Sequence, residues 1–157
     1  MDLLQKYNAM TDQHCRDCLY FLHHNRINFS IFCDLSKVRF EPLLPQDLLE
    51  SFGAFVLFVL AGYTFESLKI YRETPEISFE AGLGDNIETT VKITLSGIVQ
   101  IIIKDKNDSN VVLFNRCDPS MLFTDNTTEQ LQSSKDAFLS DPRNQQAIQS
   151  LQDKGPK

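Results

Sequence analysis

Apolar and polar residues change period twice along this chain. From residue 1 to 24, Leu3, Leu4, Tyr7, Cys15, Cys18, Leu19 and Leu22 recur at spacings of three and four, which predicts an amphipathic helix. Met10 to Asp12 is where that helix could divide in two. From Ile27 the period becomes two: Ile27, Phe29, Ile31 and Cys33 alternate with more polar neighbours, and after Asp34 to Lys37 the alternation resumes at Val38 and Phe40. One bent strand or two short ones are expected between 26 and 41.

The stretch PLLPQDLLESFGAFVLFVLAGY, Pro42 to Tyr63, then loses its polar positions after Phe52. Phe52, Phe55, Val56, Leu57, Phe58, Val59 and Leu60 would cover the whole circumference of a helix, so the expectation is a central helix buried on all sides and reaching as far as Ile70. Pro45 suits a first turn, and Asp47 and Glu50 suit the positive end of the helix dipole. The apolar run is too short to span a bilayer, which takes roughly 20 residues.

Strands dominate the second half. Ile77 to Ala81 alternates briefly. Val91, Ile93, Leu95, Gly97, Val99, Ile101 and Ile103 then occupy every second position, longer than the usual strand of about 5–6 residues, and Gly97 is the expected kink. KDKNDSN, Lys104 to Asn110, reads as a hairpin loop, with Val111 to Phe114 returning antiparallel. From Thr124 the chain turns rich in Gln, Asn, Ser and Asp, too poor in large apolar residues for a core of its own. The expected organisation is an N-terminal helical segment (1–25), an α+β domain (26–123) and a polar tail (124–157).

Composition narrows the function classes. With 157 residues, 42% of them hydrophobic, one core is expected. A net charge of −6 argues against a nucleic-acid partner, since no basic stripe is present to displace counterions. The N-terminus has no secretory pattern, so the cytoplasm is the expected compartment and Cys15, Cys18, Cys33 and Cys117 are expected as thiols. Cys15-x-x-Cys18, with His23, His24 and Cys33 further on, is the pattern most suggestive of zinc. Adjacent histidines point apart on a helix, so the sequence favours no metal and no cofactor.

The order of a strand, a buried helix and several antiparallel strands, one of them long, resembles the hotdog fold of the acyl-CoA thioesterase and acyl-thioester dehydratase superfamily. FEPLLPQDLLESFGAF, Phe40 to Phe55, is similar to the Pro-rich loop and acidic helix start of its dehydratases. The resemblance covers Arg26 to Cys117 and implies an antiparallel sheet wrapped around one central helix, a homodimer, and an acyl-CoA or other acyl thioester as ligand. It implies a ligand site at Pro45, Gln46, Glu50, Ser51, Phe52 and Phe55. The dehydratase histidine is missing: His14, His23 and His24 all precede the first strand. Three readings follow: a non-catalytic or weakly catalytic, homodimeric binding protein for acyl thioesters with a regulatory role, a thioesterase with Glu50 or Asp47 as general base on water, and a protein-interaction scaffold with no small-molecule site.

Overall fold

Helix α1 runs unbroken from Leu3 to His24. In this computed structural model residues 2–83 and 86–122 are described. Asp2 caps the helix through a reciprocal pair of hydrogen bonds with Gln5, each satisfying one backbone N–H. The break expected near Met10 does not occur: Thr11 faces the core and its hydroxyl donates to the Tyr7 carbonyl at 2.8 Å. Thr11, Cys15, Leu19 and Leu22 form the buried stripe, whereas Leu3 and Leu4 stay exposed.

The strands are β1 (Phe29–Asp34), β2 (Val38–Glu41), β3 (Phe55–Leu60), β4 (Lys69–Ile70), β5 (Glu76–Gly82), β6 (Glu88–Thr94), β7 (Ile98–Lys104) and β8 (Asn110–Asn115). They build two four-stranded sheets, ordered β3-β1-β7-β8 and β2-β6-β5-β4, with every neighbouring pair antiparallel. Three short helices complete the described chain: α2 (Gln46–Ser51), α3 (Gly62–Glu66) and α4 (Pro119–Leu122). Residues up to Pro119 form one unit, which carries all the described strands. The expected tail from 124 to 157 lies outside the described residues.

Two corners organise the sheets. Between β1 and β2 the chain makes a single 3-10 turn over Leu35–Lys37, and between β6 and β7 another over Leu95–Gly97. Since β1 pairs with β7 and β2 with β6, a single two-stranded ribbon runs through both sheets and bends where the two turns meet. Gly97 allows that meeting, because a Cβ there would stand 2.7 Å from Cβ of Lys37. The kink expected at Gly97 is therefore present, and so is the bend expected between Asp34 and Lys37.

The buried central helix is not present. Only Gln46–Ser51 is helical in that stretch, and Phe55–Leu60 is strand β3. Phe and Val, four of the six residues in FVLFVL, favour a pleated surface, and a run of six is a strand's length rather than a buried helix's. Phe58 and Leu60 are buried, while Phe55, Leu57 and Val59 face outward. The fold is thus α+β, with two antiparallel sheets and an N-terminal helix, and its core lies between β-strands and α1. Phe58 meets Phe79 edge-on at 5.3 Å and Phe40 at 6.4 Å, joining the sheets. Each such buried side chain contributes about 1.5–3 kcal/mol.

Candidate binding groove

On one side of the bent ribbon the two sheets differ. In the first sheet that side of β1 is occupied by β3. In the second, the same side of β2 has no strand beside it among the described residues; the connection to α2 passes there instead. A groove of about 540 Å³ occupies this place. All four residues of β2, Val38, Arg39, Phe40 and Glu41, line it. Successive strand residues point to opposite faces, so a groove touching all four runs along the strand edge that has no neighbouring strand among the described residues; the Val38 N–H is already turned to the Leu35 carbonyl. Leu43 and Leu49 add apolar surface, and Leu43 is 85% exposed.

At Glu41 and Pro42 the groove meets a second, more polar hollow of about 240 Å³, lined by Tyr63, Thr64, Glu80 and Glu88 among others. Thr89 anchors the junction by donating its hydroxyl to the Pro42 carbonyl at 3.0 Å. Tyr63, on α3, is 72% exposed and its hydroxyl donates to Glu80. That hydrogen bond, and the negative charge of Glu80 and then Glu88, raise the Tyr63 phenol above its ordinary value. A third hollow of about 460 Å³ shares Glu41, Tyr63 and Glu80 and extends to Tyr71 and Lys92. Here Lys92 pairs with Glu41 at 3.2 Å, while Arg39, which lines the first groove, pairs with Glu76 at 3.1 Å. The result is a trough, mainly apolar at the β2 end, acidic in the second hollow, and of mixed charge in the third, where Lys69 and Lys92 join Glu41 and Glu80.

The residues expected to form a ligand site do not converge. Pro45 precedes α2, Gln46 donates to Glu50 at 3.2 Å one turn on, and Ser51 donates to the Leu48 carbonyl. Asp47 and Glu50 are exposed on the same short helix. Phe52 packs inward near Phe40, at 6.3 Å, whereas Phe55 stacks on Phe32 on the outer face of the other sheet, at 5.3 Å. None of these six residues lines the groove along β2. The residues that do were missed because a free strand edge is a property of the strand order, and no residue type announces it.

The cysteine pattern is likewise dispersed into packing. Cys15 and Cys33 are buried, and burial pushes the Cys15 thiol up to about 12 and raises that of Cys33 as well. Burial thus favours the neutral form of both thiols. His23 Nε2 lies 3.2 Å from the Phe65 carbonyl. Among the described residues no three His, Cys, Asp or Glu side chains gather to hold a metal, and no helix is long and apolar enough to cross a membrane. No family model matches the chain, and no curated protein matches it.

Proposed function

We propose that this protein is a peptide-recognition module that performs no chemistry, taking an extended polypeptide segment along the free edge of β2. This develops the protein-interaction reading of the sequence. The observation that carries it is the lining of the groove by four consecutive residues of an unpaired strand edge. Such an edge offers hydrogen bonds to a backbone of any sequence, while pockets for alternate side chains supply selectivity. In the groove, one ligand side chain packs among Val38, Phe40, Leu43 and Leu49, and the segment then passes Pro42 to the hollow of Tyr63, Glu80 and Glu88. Three carboxylates there, Glu41, Glu80 and Glu88, with only Glu41 paired to a lysine, disfavour an acidic ligand residue at that end.

The acyl-thioester readings drew their support from a buried helix whose first turns would hold the thioester. With Phe55–Leu60 a strand, Glu50 and Asp47 lie on a surface helix, and the trough beside β2 is open along its length.

A displayed random-peptide library selected on the purified full chain tests the proposal, followed by titration of the enriched peptides. Leu43→Arg is expected to weaken their binding at least tenfold with an unchanged melting temperature, and the β2 amides to exchange more slowly with peptide bound. If no peptide is enriched while a panel of acyl-CoAs raises the melting temperature, the thioester reading replaces this one. If peptides bind Leu43→Arg as tightly as the parent, the groove is not their site.

A further inference from the structure

The outer face of the second sheet is patterned in rows. The register sets Arg39, Lys92, Ser78 and Lys69 side by side across β2, β6, β5 and β4, and the next row, two residues along, is Glu41, Thr90 and Glu80. Ile77, Phe79, Val91 and Ile93 alternate with these residues and are buried on the opposite face. The third hollow, of about 460 Å³, lies over both rows. One tyrosine is tethered to each: the Tyr71 hydroxyl stands 3.0 Å from Ser78 Oγ, and the Tyr63 hydroxyl donates to Glu80. Their anchors are two residues apart on β5, a distance of about 7 Å.

We propose that this hollow binds a short, neutral oligosaccharide. Both β5 and β6, which form its floor, have a strand on either side, so their backbone groups are taken up by the sheet and recognition falls to side chains. Lys69 and Lys92 face Glu41 and Glu80 around the hollow, and with the two signs balanced a ligand of either net charge meets as much repulsion as attraction. An apolar ligand would strip water from these groups and return no hydrogen bond. What fits is an uncharged molecule that carries many donors and acceptors.

A sugar has that chemistry. Each hydroxyl both donates and accepts, so neighbouring hydroxyls can lie between an ammonium group and a carboxylate that are already paired, as Lys92 and Glu41 are, using the N–H groups and lone pairs the ion pair leaves over. Tyr63 and Tyr71 are both exposed at the rim, where aromatic surface can take the apolar C–H side of a sugar ring while each hydroxyl stays bonded to the sheet. The volume lies within the roughly 300–1,000 Å³ of small-ligand sites. Lys69, Tyr71, Ser78 and Lys92 line neither the β2 groove nor the second hollow, so the site stands independently of peptide binding.

Chemical-shift titration of the labelled full chain with neutral disaccharides of glucose, galactose, mannose and N-acetylglucosamine, to tens of millimolar, tests the proposal. At least one is expected to move the amides of Lys69, Tyr71, Ser78 and Lys92 along a saturating curve, and a glucuronate-containing disaccharide to bind at least tenfold more weakly. Tyr71→Ala is expected to weaken the neutral sugar at least tenfold, and Tyr71→Phe, which keeps the ring, by no more than about threefold. Lys69→Met removes an exposed donor. It is expected to weaken the sugar about fivefold with the parent's melting temperature and peptide affinity, which keeps the test decisive should Tyr71→Ala loosen the sheet. No shift with any neutral disaccharide, tighter binding of the acidic one, or parental affinity in both Lys69→Met and Tyr71→Ala would overturn the inference.

Discussion

Arg116, just beyond the end of β8, reaches Asp12 in the middle of α1, with Nη2 2.9 Å from Oδ1. The same guanidinium donates to the carbonyls of Ile98 at 2.9 Å and Leu95 at 3.0 Å, and it lies 5.4 Å from the centre of the Phe114 ring. Asp12 Oδ1 sits off the line of the N–H, making the contact an ion pair rather than an aligned hydrogen bond. With 12% and 27% of the two side chains exposed, the pair is shielded from salt. It fastens the helix to the ribbon's corner.

Arg116→Ala is expected to destabilise the fold by about 2–3 kcal/mol, since two carbonyls lose their donor and one carboxylate loses its opposite charge. Asp12→Asn is expected to cost about 1 kcal/mol, because the carbonyl bonds survive. Urea denaturation of both single variants and the double variant measures the coupling. Additive losses would show that the pair contributes nothing as a pair.

Gly97→Ala is expected to cost about 1–3 kcal/mol, as its Cβ would come 2.7 Å from Cβ of Lys37, an atom too near the backbone to swing aside. Lys37→Gly removes the obstructing atom. Placed in the Gly97→Ala background, it is expected to recover part of the loss despite glycine's own entropic cost. A double variant as unstable as the sum of the singles would place the cause elsewhere.

Alkaline pH is expected to weaken the fold through Cys15, whose thiol rises from 9.0 to about 12 on burial. The unfolded chain releases this proton near 9 and the folded chain holds it, so the contribution is complete below about pH 9 and is lost as the pH climbs towards 12. The stability advantage of the parent over Cys15→Ala should therefore shrink across that window. Thiol labelling at pH 8 offers a companion measurement: exposed Cys117 should react first, Cys15 and Cys33 only on unfolding.

Glu50→Gln and Asp47→Asn are expected to change stability by less than about 0.5 kcal/mol and to leave peptide affinity unaltered, because both carboxylates lie on the exposed side of α2. Loss of a thioester-hydrolysing activity in either variant would restore the catalytic reading.

The alternating strands could be read from the sequence because one of their faces is wet: Thr90, Lys92 and Thr94 mark the polar side of β6 as clearly as Val91 and Ile93 mark its core side. Strand β3 could not, since both faces are apolar and the run carries no period. That same lack of polar residues is what leaves its outward face greasy. The corner at Gly97 was legible through its glycine, whereas its partner Lys37 is an ordinary surface residue by type. The groove was invisible for a different reason. Val38, Phe40 and Leu49 are unremarkable apolar residues, and only the strand order places them beside a backbone edge with no neighbouring strand among the described residues.

The bent ribbon also sets how the molecule bears load. Because β1 continues into β2 and β6 into β7 through tight turns, the two sheets are lengths of one hydrogen-bonded ladder and cannot slide past each other. If a segment binds beside β2 as proposed, a pull along its length would load its hydrogen bonds in shear, with many resisting together, whereas a pull across the strand would open them one at a time. Such a grip would be directional, firm along the chain axis of the bound segment and weak at right angles to it.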